Sequence, residues 1–296
     1  MKIYLSSFTR ETLTGYKKRF PDAKPNVLIS FAIRNRDAAL FCKRHRSDIG
    51  DLILDSGAWT KNNALVDTTE ITLRSYLAYL RVAAKYYSFY FNFDEDFNDN
   101  GFNTNYSNQL ILEEAGFQPV PVVHDIHGDE IQVYIDKGYK RVALGSRQIT
   151  SRSILDGAMR KFEGTGIKIH LFGNASFQLL VNAPIHSCDT AMWALHGKFG
   201  RVLYWNPRKE GENKTDKIYL DELTRTATDT NGISFCTYEF RQEFEEYLNS
   251  ALNLQYYDLI GPNSAENKML VNTHYLVQLE RIITGIHREK GFATEE

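Results

Sequence analysis

The sequence is poor in cysteine. Its 296 residues contain three, Cys42, Cys188 and Cys236, and these lie far apart. No CxxC or CxC pair is present. Disulfide frameworks and cysteine-rich zinc sites need paired or closely spaced cysteines, so the pattern argues against both kinds of protein.

Long apolar runs and a strong charge of one sign are also missing. No run approaches the roughly 20 apolar residues that a membrane-spanning helix needs. The N-terminus, MKIYLSSFTRETLTG, lacks the apolar core and cleavage site of a signal peptide. We therefore expect a cytoplasmic protein with no membrane partner. The net charge of −2 gives no general attraction to nucleic acid, although a local basic patch stays possible.

What the sequence does contain is a repeated alternation of short apolar runs and helical stretches. Its length suits one large α/β domain or two ordinary ones. Eight runs are predicted as strands: Asn26–Phe31, Leu52–Asp55, Ser88–Asp94, Pro119–His124, Arg141–Gly145, Ile167–Gly173, Ile185–Asp189 and Gly200–Trp205. Helices are predicted between or after them, including Thr69–Tyr87, Asn105–Gly116, Gly128–Gly138, Ser176–Pro184, Tyr238–Asn253 and Ser264–Lys290.

This alternation predicts an α/β fold with parallel strands and right-handed crossovers. An open doubly wound sheet and a closed TIM (β/α)8 barrel both fit, and the count of eight favours the barrel. No GxGxxG or GxxxxGK[ST] motif follows the first predicted strand, which weakens the nucleotide-binding doubly wound alternative. We expect residues 1–205 to form the barrel and residues 206–296 a C-terminal loop and helical extension without a zinc subdomain.

Polar residues cluster where the predicted strands end. In a TIM barrel the chemistry lies at these carboxyl ends. The clusters are Asp55-Ser56-Gly57, Asp94-Glu95-Asp96, His124-Asp125, Gly145-Ser146, His170 with Gly173, and Cys188-Asp189-Thr190. A single aspartate there is as often a helix N-cap, and a glycine is often a turn residue. Three aspartates at equivalent positions predict one shared pocket with a nucleophile, a proton shuttle and a hydrogen-bond acceptor, which suits exchange at a glycosidic carbon.

The ordered set of motifs resembles the tRNA-guanine transglycosylase (queuine tRNA-ribosyltransferase) superfamily. The motifs are DSGAW, FDED, PVPVVH, GYKRVALGS, KIHLFG and SCDTAMW, and the likeness runs from about Val27 to Trp205. The similarity is greatest to the short phage and genomic-island members. It implies a TIM barrel and a pentosyltransferase that replaces guanine in a polynucleotide with a 7-deazaguanine such as queuine, without a cofactor.

The resemblance also implies roles for residues of this chain. Asp189 corresponds to the nucleophile that attacks C1′ of the sugar, and Asp55 to the general acid/base, positioned by the Ser56-Gly57 turn. Asp94 corresponds to the residue that reads the amino and ring N–H groups of the base. Gly145-Ser146 would offer backbone N–H groups to a carbonyl of that base, and His170 and Gly173 would complete the substrate site.

The chain departs from the usual family pattern in several places. It lacks the cysteine-rich zinc site, and Ala-Trp stands after DSG where Gly-Phe-Gln is common. Since the zinc region contributes to tRNA docking in the family, DNA stays open beside tRNA as the acceptor. Two other functions stay open. One is a metal-dependent hydrolase that uses His124, His127, His170, Asp94 and Asp189 as ligands. The other is a non-catalytic protein that binds bases or nucleic acid.

Overall fold

The fold is taken from a computed structural model. It describes residues 1–32, 36–63, 69–98, 101–220 and 232–292. Part of the predicted C-terminal extension, residues 221–231 and 293–296, therefore lies outside the described residues. No helix in the described part of the chain is long and apolar enough to span a bilayer.

A seven-stranded parallel sheet carries the predicted strand ends. Its strands are β1 (Lys2–Ser6), β2 (Asn26–Ser30), β3 (Leu52–Asp55), β4 (Val122–Val123), β5 (Arg141–Leu144), β6 (Lys168–Leu171) and β7 (Ser187–Thr190). The order across the sheet is β3-β2-β1-β7-β6-β5-β4. Two isolated parallel bridges add to it, Leu54 with Tyr90 and Phe91 with Val120. All carboxyl ends lie at one edge, because every pair in this sheet is parallel.

The sheet differs from the prediction in one added strand and in two predicted strands that do not join it as expected. The sheet includes β1, which was not predicted, between β2 and β7. The segment predicted as the eighth barrel strand, Gly200–Trp205, instead contributes β8 (Arg201–Trp205) to a second sheet with β9 (Thr215–Tyr219) and β10 (Ile233–Ser234). There β8 pairs antiparallel with β9 because the polar segment between them forms a hairpin. The predicted strand Ser88–Asp94 has bridge pairing at Tyr90 and Phe91 alone.

The helices follow the predicted alternation. They are α1 (Arg10–Arg19), α2 (Arg36–Lys43), α3 (Ala58–Asn63), α4 (Leu73–Ala83), α5 (Gly101–Glu114), α6 (Glu130–Asp136), α7 (Arg152–Lys161), α8 (Phe177–Leu180), α9 (Met192–Lys198), α10 (Arg241–Leu252) and α11 (Ser264–Glu289). Short 3₁₀ helices cover Ala84–Tyr86, Phe235–Thr237 and Tyr256–Leu259. The start of α4 shows how a local capping residue sets a helix boundary. The Thr72 side chain accepts a hydrogen bond from the Ser75 backbone N–H there.

The chain divides into two compact units. The first comprises Met1–Phe8, Lys24–Thr190 and Ile286–Glu296, and the second comprises Thr9–Ala23 and Ala191–Gly285. The first unit contains the parallel sheet. The second has its own apolar core, in which Val202 and Ile218 from its sheet pack with Phe244 and Leu248 of α10. The division after Thr190 precedes the boundary at residue 205 that the sequence predicts.

Asn272 holds part of the second unit together. Its buried side chain accepts a hydrogen bond from the Leu203 backbone at 2.8 Å and donates to the carbonyl oxygens of Trp193 (3.1 Å) and Arg201 (3.2 Å). We expect Asn272→Ala to lower the free energy of unfolding by about 2–3 kcal/mol, because it leaves buried backbone groups without this partner. Urea denaturation followed by circular dichroism measures the change. Asn249→Ala, at an exposed position of α10, is the control, and equal effects of the two substitutions would contradict the assignment.

Candidate functional site

Asp55 is the last residue of a buried strand, and the residues after it turn the chain away from the sheet. Leu52, Ile53 and Leu54 are fully buried, so the strand is fixed up to the carboxylate. The N–H of Gly57 donates to Asp55 Oδ2 at 3.0 Å. Gly57 has φ +81°, and a Cβ there would lie 2.5 Å from the Cβ of Ala32. The glycine is therefore required by both backbone conformation and packing.

Ser56 connects this strand end to the second predicted aspartate. Its hydroxyl is fully buried and donates to Asp94 Oδ1 at 3.1 Å. Asp94 Oδ2 lies 2.9 Å from Nε2 of His124, which directly follows β4. Both carboxylate oxygens of the buried Asp94 thus have a partner, one from the residue after β3 and one from the residue after β4.

The acidic segment Asp94-Glu95-Asp96 is an ordered part of the protein, held mainly by asparagine side chains. Asn105 of α5 accepts from the Asp96 N–H at 3.0 Å and donates to the Asp96 carbonyl at 2.7 Å. Asn108 donates to the Phe93 carbonyl, and Asn62 of α3 donates to the Glu95 carbonyl. These bonds fix the backbone on both sides of Asp94.

The third aspartate, Asp189, lies in β7, and its side chain contacts the segment after β6. Its Oδ1 accepts the N–H of Gly173 at 2.9 Å. The same oxygen lies 3.5 Å from Nε2 of His170, without a hydrogen bond between them. The other ring nitrogen of His170 is 2.9 Å from the Ser187 hydroxyl. Burial lowers the pKa of His170 against the opposing effect of Asp189, so the ring is neutral beside the carboxylate.

Asp94 and Asp189 are both close enough to Asp55 to influence its pKa. Burial, then the carboxylate of Asp94 and then that of Asp189, raise the pKa of Asp55 to about 7. Ser30 and, to a smaller extent, the N–H of Gly57 lower this pKa but do not offset the three effects that raise it. Burial also raises the pKa of Tyr76, and Asp55 and Asp94 raise it further. A carboxyl that titrates near neutrality beside two other carboxyl groups is an arrangement suited to acid/base chemistry.

The Gly145-Ser146 turn follows β5 at the same edge of the sheet. Its predicted role requires free backbone N–H groups, but the N–H of Gly145 donates to the Val123 carbonyl at 3.0 Å. No acceptor among the described residues takes the N–H of Ser146. A Cβ at position 145 would lie 2.8 Å from a methyl carbon of Val122 and 3.4 Å from His124. The glycine is thus needed for packing within the protein, and Ser146 alone retains a donor for a ligand.

Two features of the site were not predicted. One is the pairing of His124 with Asp94, and its only sequence signal is the position of His124 directly after an apolar run. The other is the set of asparagines that hold the acidic segment. Five asparagines occur between residues 98 and 108, directly after that segment. This enrichment in asparagine was the sequence signal for the interaction.

Neither comparison with known proteins nor a search for metal-ligand clusters identifies this site. No known protein family matches the chain. No curated protein is similar enough to be matched to it. Among the residues that the structure describes, no three histidine, cysteine, aspartate or glutamate side chains are arranged to hold a metal ion. The histidines and aspartates considered for a metal-dependent hydrolase therefore do not form a ligand set within the described residues.

The turn after β3 makes a prediction about stability. We expect Gly57→Ala to destabilise the protein by about 3 kcal/mol or more, because backbone strain adds to overlap with Ala32. Gly116→Ala is the matched control: Gly116 also has positive φ (+87°), but a Cβ added there would meet no atom within 4 Å. It should cost about 1–2 kcal/mol, the strain alone. Thermal denaturation of both variants tests this, and equal losses would contradict the packing argument.

The raised pKa of Asp55 predicts a pH-dependent stability difference. The pKa in the folded protein is about 7 and the ordinary value is 3.8. The stability that the protonated Asp55 contributes is therefore fully present below pH 3.8, its ordinary pKa, and is lost as the pH rises through about 7. We expect the free energy of unfolding of the Asp55→Asn protein to exceed that of the wild type by about 2–4 kcal/mol at about pH 8. At about pH 4 the two values should differ little. Urea denaturation across this range measures it, with the exposed Asp129→Asn as control. Parallel profiles for wild type and Asp55→Asn would rule out the raised pKa.

Proposed function

We propose that this protein exchanges a guanine base in a polynucleotide for a 7-deazaguanine through a covalent aspartyl intermediate. The observation that carries the proposal is the electrostatic coupling of Asp55 to Asp94 and Asp189, three carboxylates from separate strand ends. Base exchange needs one carboxylate as nucleophile, one group that gives and takes a proton, and one acceptor for the base. The order of motifs along the chain, similar to that of the transglycosylase superfamily, supports the same reaction.

We further propose that the parallel strands form a closed eight-stranded barrel. The bridge between Leu54 and Tyr90 links β3 to the Tyr90–Phe91 segment. The bridge between Phe91 and Val120 links that segment to the chain just before β4. Together with the seven-stranded order this would complete a ring whose carboxyl ends surround one pocket, as in TIM-barrel enzymes.

In the first half of the proposed reaction, a carboxylate oxygen of Asp189 attacks C1′ of the target nucleotide. The C1′–N9 bond breaks and its electron pair passes to N9 of guanine, which takes a proton from Asp55. The hydrogen bond from the Gly173 N–H to Oδ1 of Asp189 supports this step, because it fixes the carboxylate and leaves Oδ2 for the attack.

The second half reverses these events with the incoming base. Asp55, now ionised, takes the N9 proton of the incoming base, and N9 attacks C1′ while the bond to Asp189 breaks. A pKa of about 7 suits Asp55 to both halves, because neither protonation state is rare near neutral pH. Asp94, held by Ser56, would accept hydrogen bonds from the ring and amino N–H groups of the base.

The acceptor in this proposal is a polynucleotide, either tRNA or DNA. A base inside a stacked helix cannot reach a pocket at the strand ends, so the target nucleotide must be unstacked and turned into the site. A cytoplasmic location would give access to both acceptors. No cofactor takes part in the steps proposed here.

The role of Asp189 gives a direct test. We expect Asp189→Ala to lower incorporation of labelled guanine into tRNA or DNA oligonucleotides by about a thousandfold or more, because no covalent intermediate forms. Guanine binding should persist, since Asp94 is intact. The wild type should form an adduct with the oligonucleotide that resists denaturing electrophoresis, and Asp189→Ala should not.

The exposed Asp129→Ala is the control for this experiment and should exchange normally. Thermal denaturation confirms that the variants are folded, and Asp189→Asn provides a second variant of nearly the same size. Near-normal exchange by Asp189→Ala would contradict the assignment. Guanine binding by the wild type with no incorporation into either acceptor would instead favour a non-catalytic base-binding protein.

A further inference from the structure

His124 is a partly buried residue of the site that the proposed reaction does not use. Its Nε2 lies 2.9 Å from Oδ2 of Asp94, and its side chain is 15% exposed. The ring centroid is 4.8 Å from that of Phe97. On another side, a Cβ added to Gly145 would lie 3.4 Å from Cε1 of His124. The imidazole is therefore held in one position between the carboxylate, an aromatic ring and the turn after β5.

The charged groups around His124 come from three separate segments. Asp94 follows the Tyr90–Phe91 bridge segment, Glu130 belongs to α6, and Arg147 lies in the loop after β5. Oε2 of Glu130 also accepts the backbone N–H of His124 at 2.7 Å. Burial lowers the pKa of His124, but Asp94 and then Glu130 outweigh both burial and Arg147, so the net pKa is raised. The imidazolium is thus favoured beside Asp94.

The contact between His124 and Asp94 determines which hydrogen bonds Asp94 can form with a ligand. Ser56 donates to Oδ1 and His124 donates to Oδ2, so both oxygens accept hydrogen bonds within the protein. One donor on each oxygen fixes the plane of the Asp94 carboxylate and holds the group as a hydrogen-bond acceptor. Its remaining lone pairs can accept hydrogen bonds but cannot supply a hydrogen.

We propose that His124 is a positioning residue for the base: by holding Asp94 as a fixed acceptor, it makes the site select bases with two adjacent N–H donors. This inference rests on the base-reading role proposed for Asp94. Guanine and 7-deazaguanines present N1–H and the 2-amino group along one edge, which matches the two carboxylate oxygens. Adenine presents an acceptor at N1, which would face the carboxylate with no hydrogen between them.

Binding of free bases tests this without any exchange reaction. Equilibrium dialysis of the full chain with labelled guanine, alone and with adenine as competitor, gives the affinity and the selectivity. We expect His124→Phe to weaken guanine binding about a hundredfold and to reduce the preference over adenine, because Asp94 loses a charged donor. His124→Gln keeps an N–H donor without the charge and should weaken guanine binding only about tenfold.

The pH profile distinguishes a positioning role from a merely structural one. Guanine affinity of the wild type should fall as the pH rises through the raised pKa of His124, because the cation is lost. His124→Gln should lack this step. Both proteins keep Asp55, so the difference between the two profiles isolates His124. The exposed His127→Gln is the matched control and should retain the affinity and pH profile of the wild type.

The outcomes separate this inference from the proposed function. Folded His124→Phe and His124→Gln proteins with wild-type affinity, selectivity and pH profile would overturn the inference and leave base exchange in place. Binding that depends on His124 as expected, with no incorporation into tRNA or DNA, would support the inference and overturn the exchange reaction. A wild-type protein that binds no guanine would overturn both.

Discussion

The structure of the site depends on one constraint: at the carboxyl edge of a parallel sheet, burial and the neighbouring carboxylates of Asp94 and Asp189 oppose the ionisation of Asp55. The protein resolves this by giving each carboxylate a different environment. Asp94 receives donors on both oxygens, from Ser56 and His124. Asp189 receives one backbone N–H beside a neutral imidazole. Asp55 has the raised pKa, so its carboxyl is suited to exchange a proton near neutral pH.

Much of the parallel sheet could be predicted because its strands are short apolar runs that end on polar residues. Leu52–Asp55 is a clear case: three fully buried residues precede the carboxylate. The pattern was less informative about pairing. Arg201–Trp205 has the composition of a buried parallel strand, yet its partner is the neighbouring strand of a hairpin. Lys2–Ser6 also has three buried residues, but it was missed because no carboxylate or glycine follows them, and only its two neighbours in the sheet identify it as central.

The convergence of the aspartates followed from strand geometry, since parallel strands place their carboxyl ends together. The interactions that distinguish the three carboxylates did not, because they depend on distances between residues far apart in the chain. His124 and Asp94 are 30 residues apart, and nothing in the local sequence of either indicates the other. Likewise, the N–H of Gly145 was expected to face a ligand, whereas it donates to Val123. Local patterns predict which residues reach an edge of a sheet but not how their hydrogen bonds are distributed there.

The central position of β1 has a consequence for how the chain acquires its structure. This strand precedes the other strands of its sheet in the chain, and one of its two partners, β7, is the last of them to be synthesised. Until that partner arrives, one edge of β1 has unsatisfied backbone groups and its buried side chains lack half of their cover. The parallel sheet can therefore be completed only after β7 has been synthesised, and a nascent chain stopped before Ser187 would expose an edge prone to pairing with other chains.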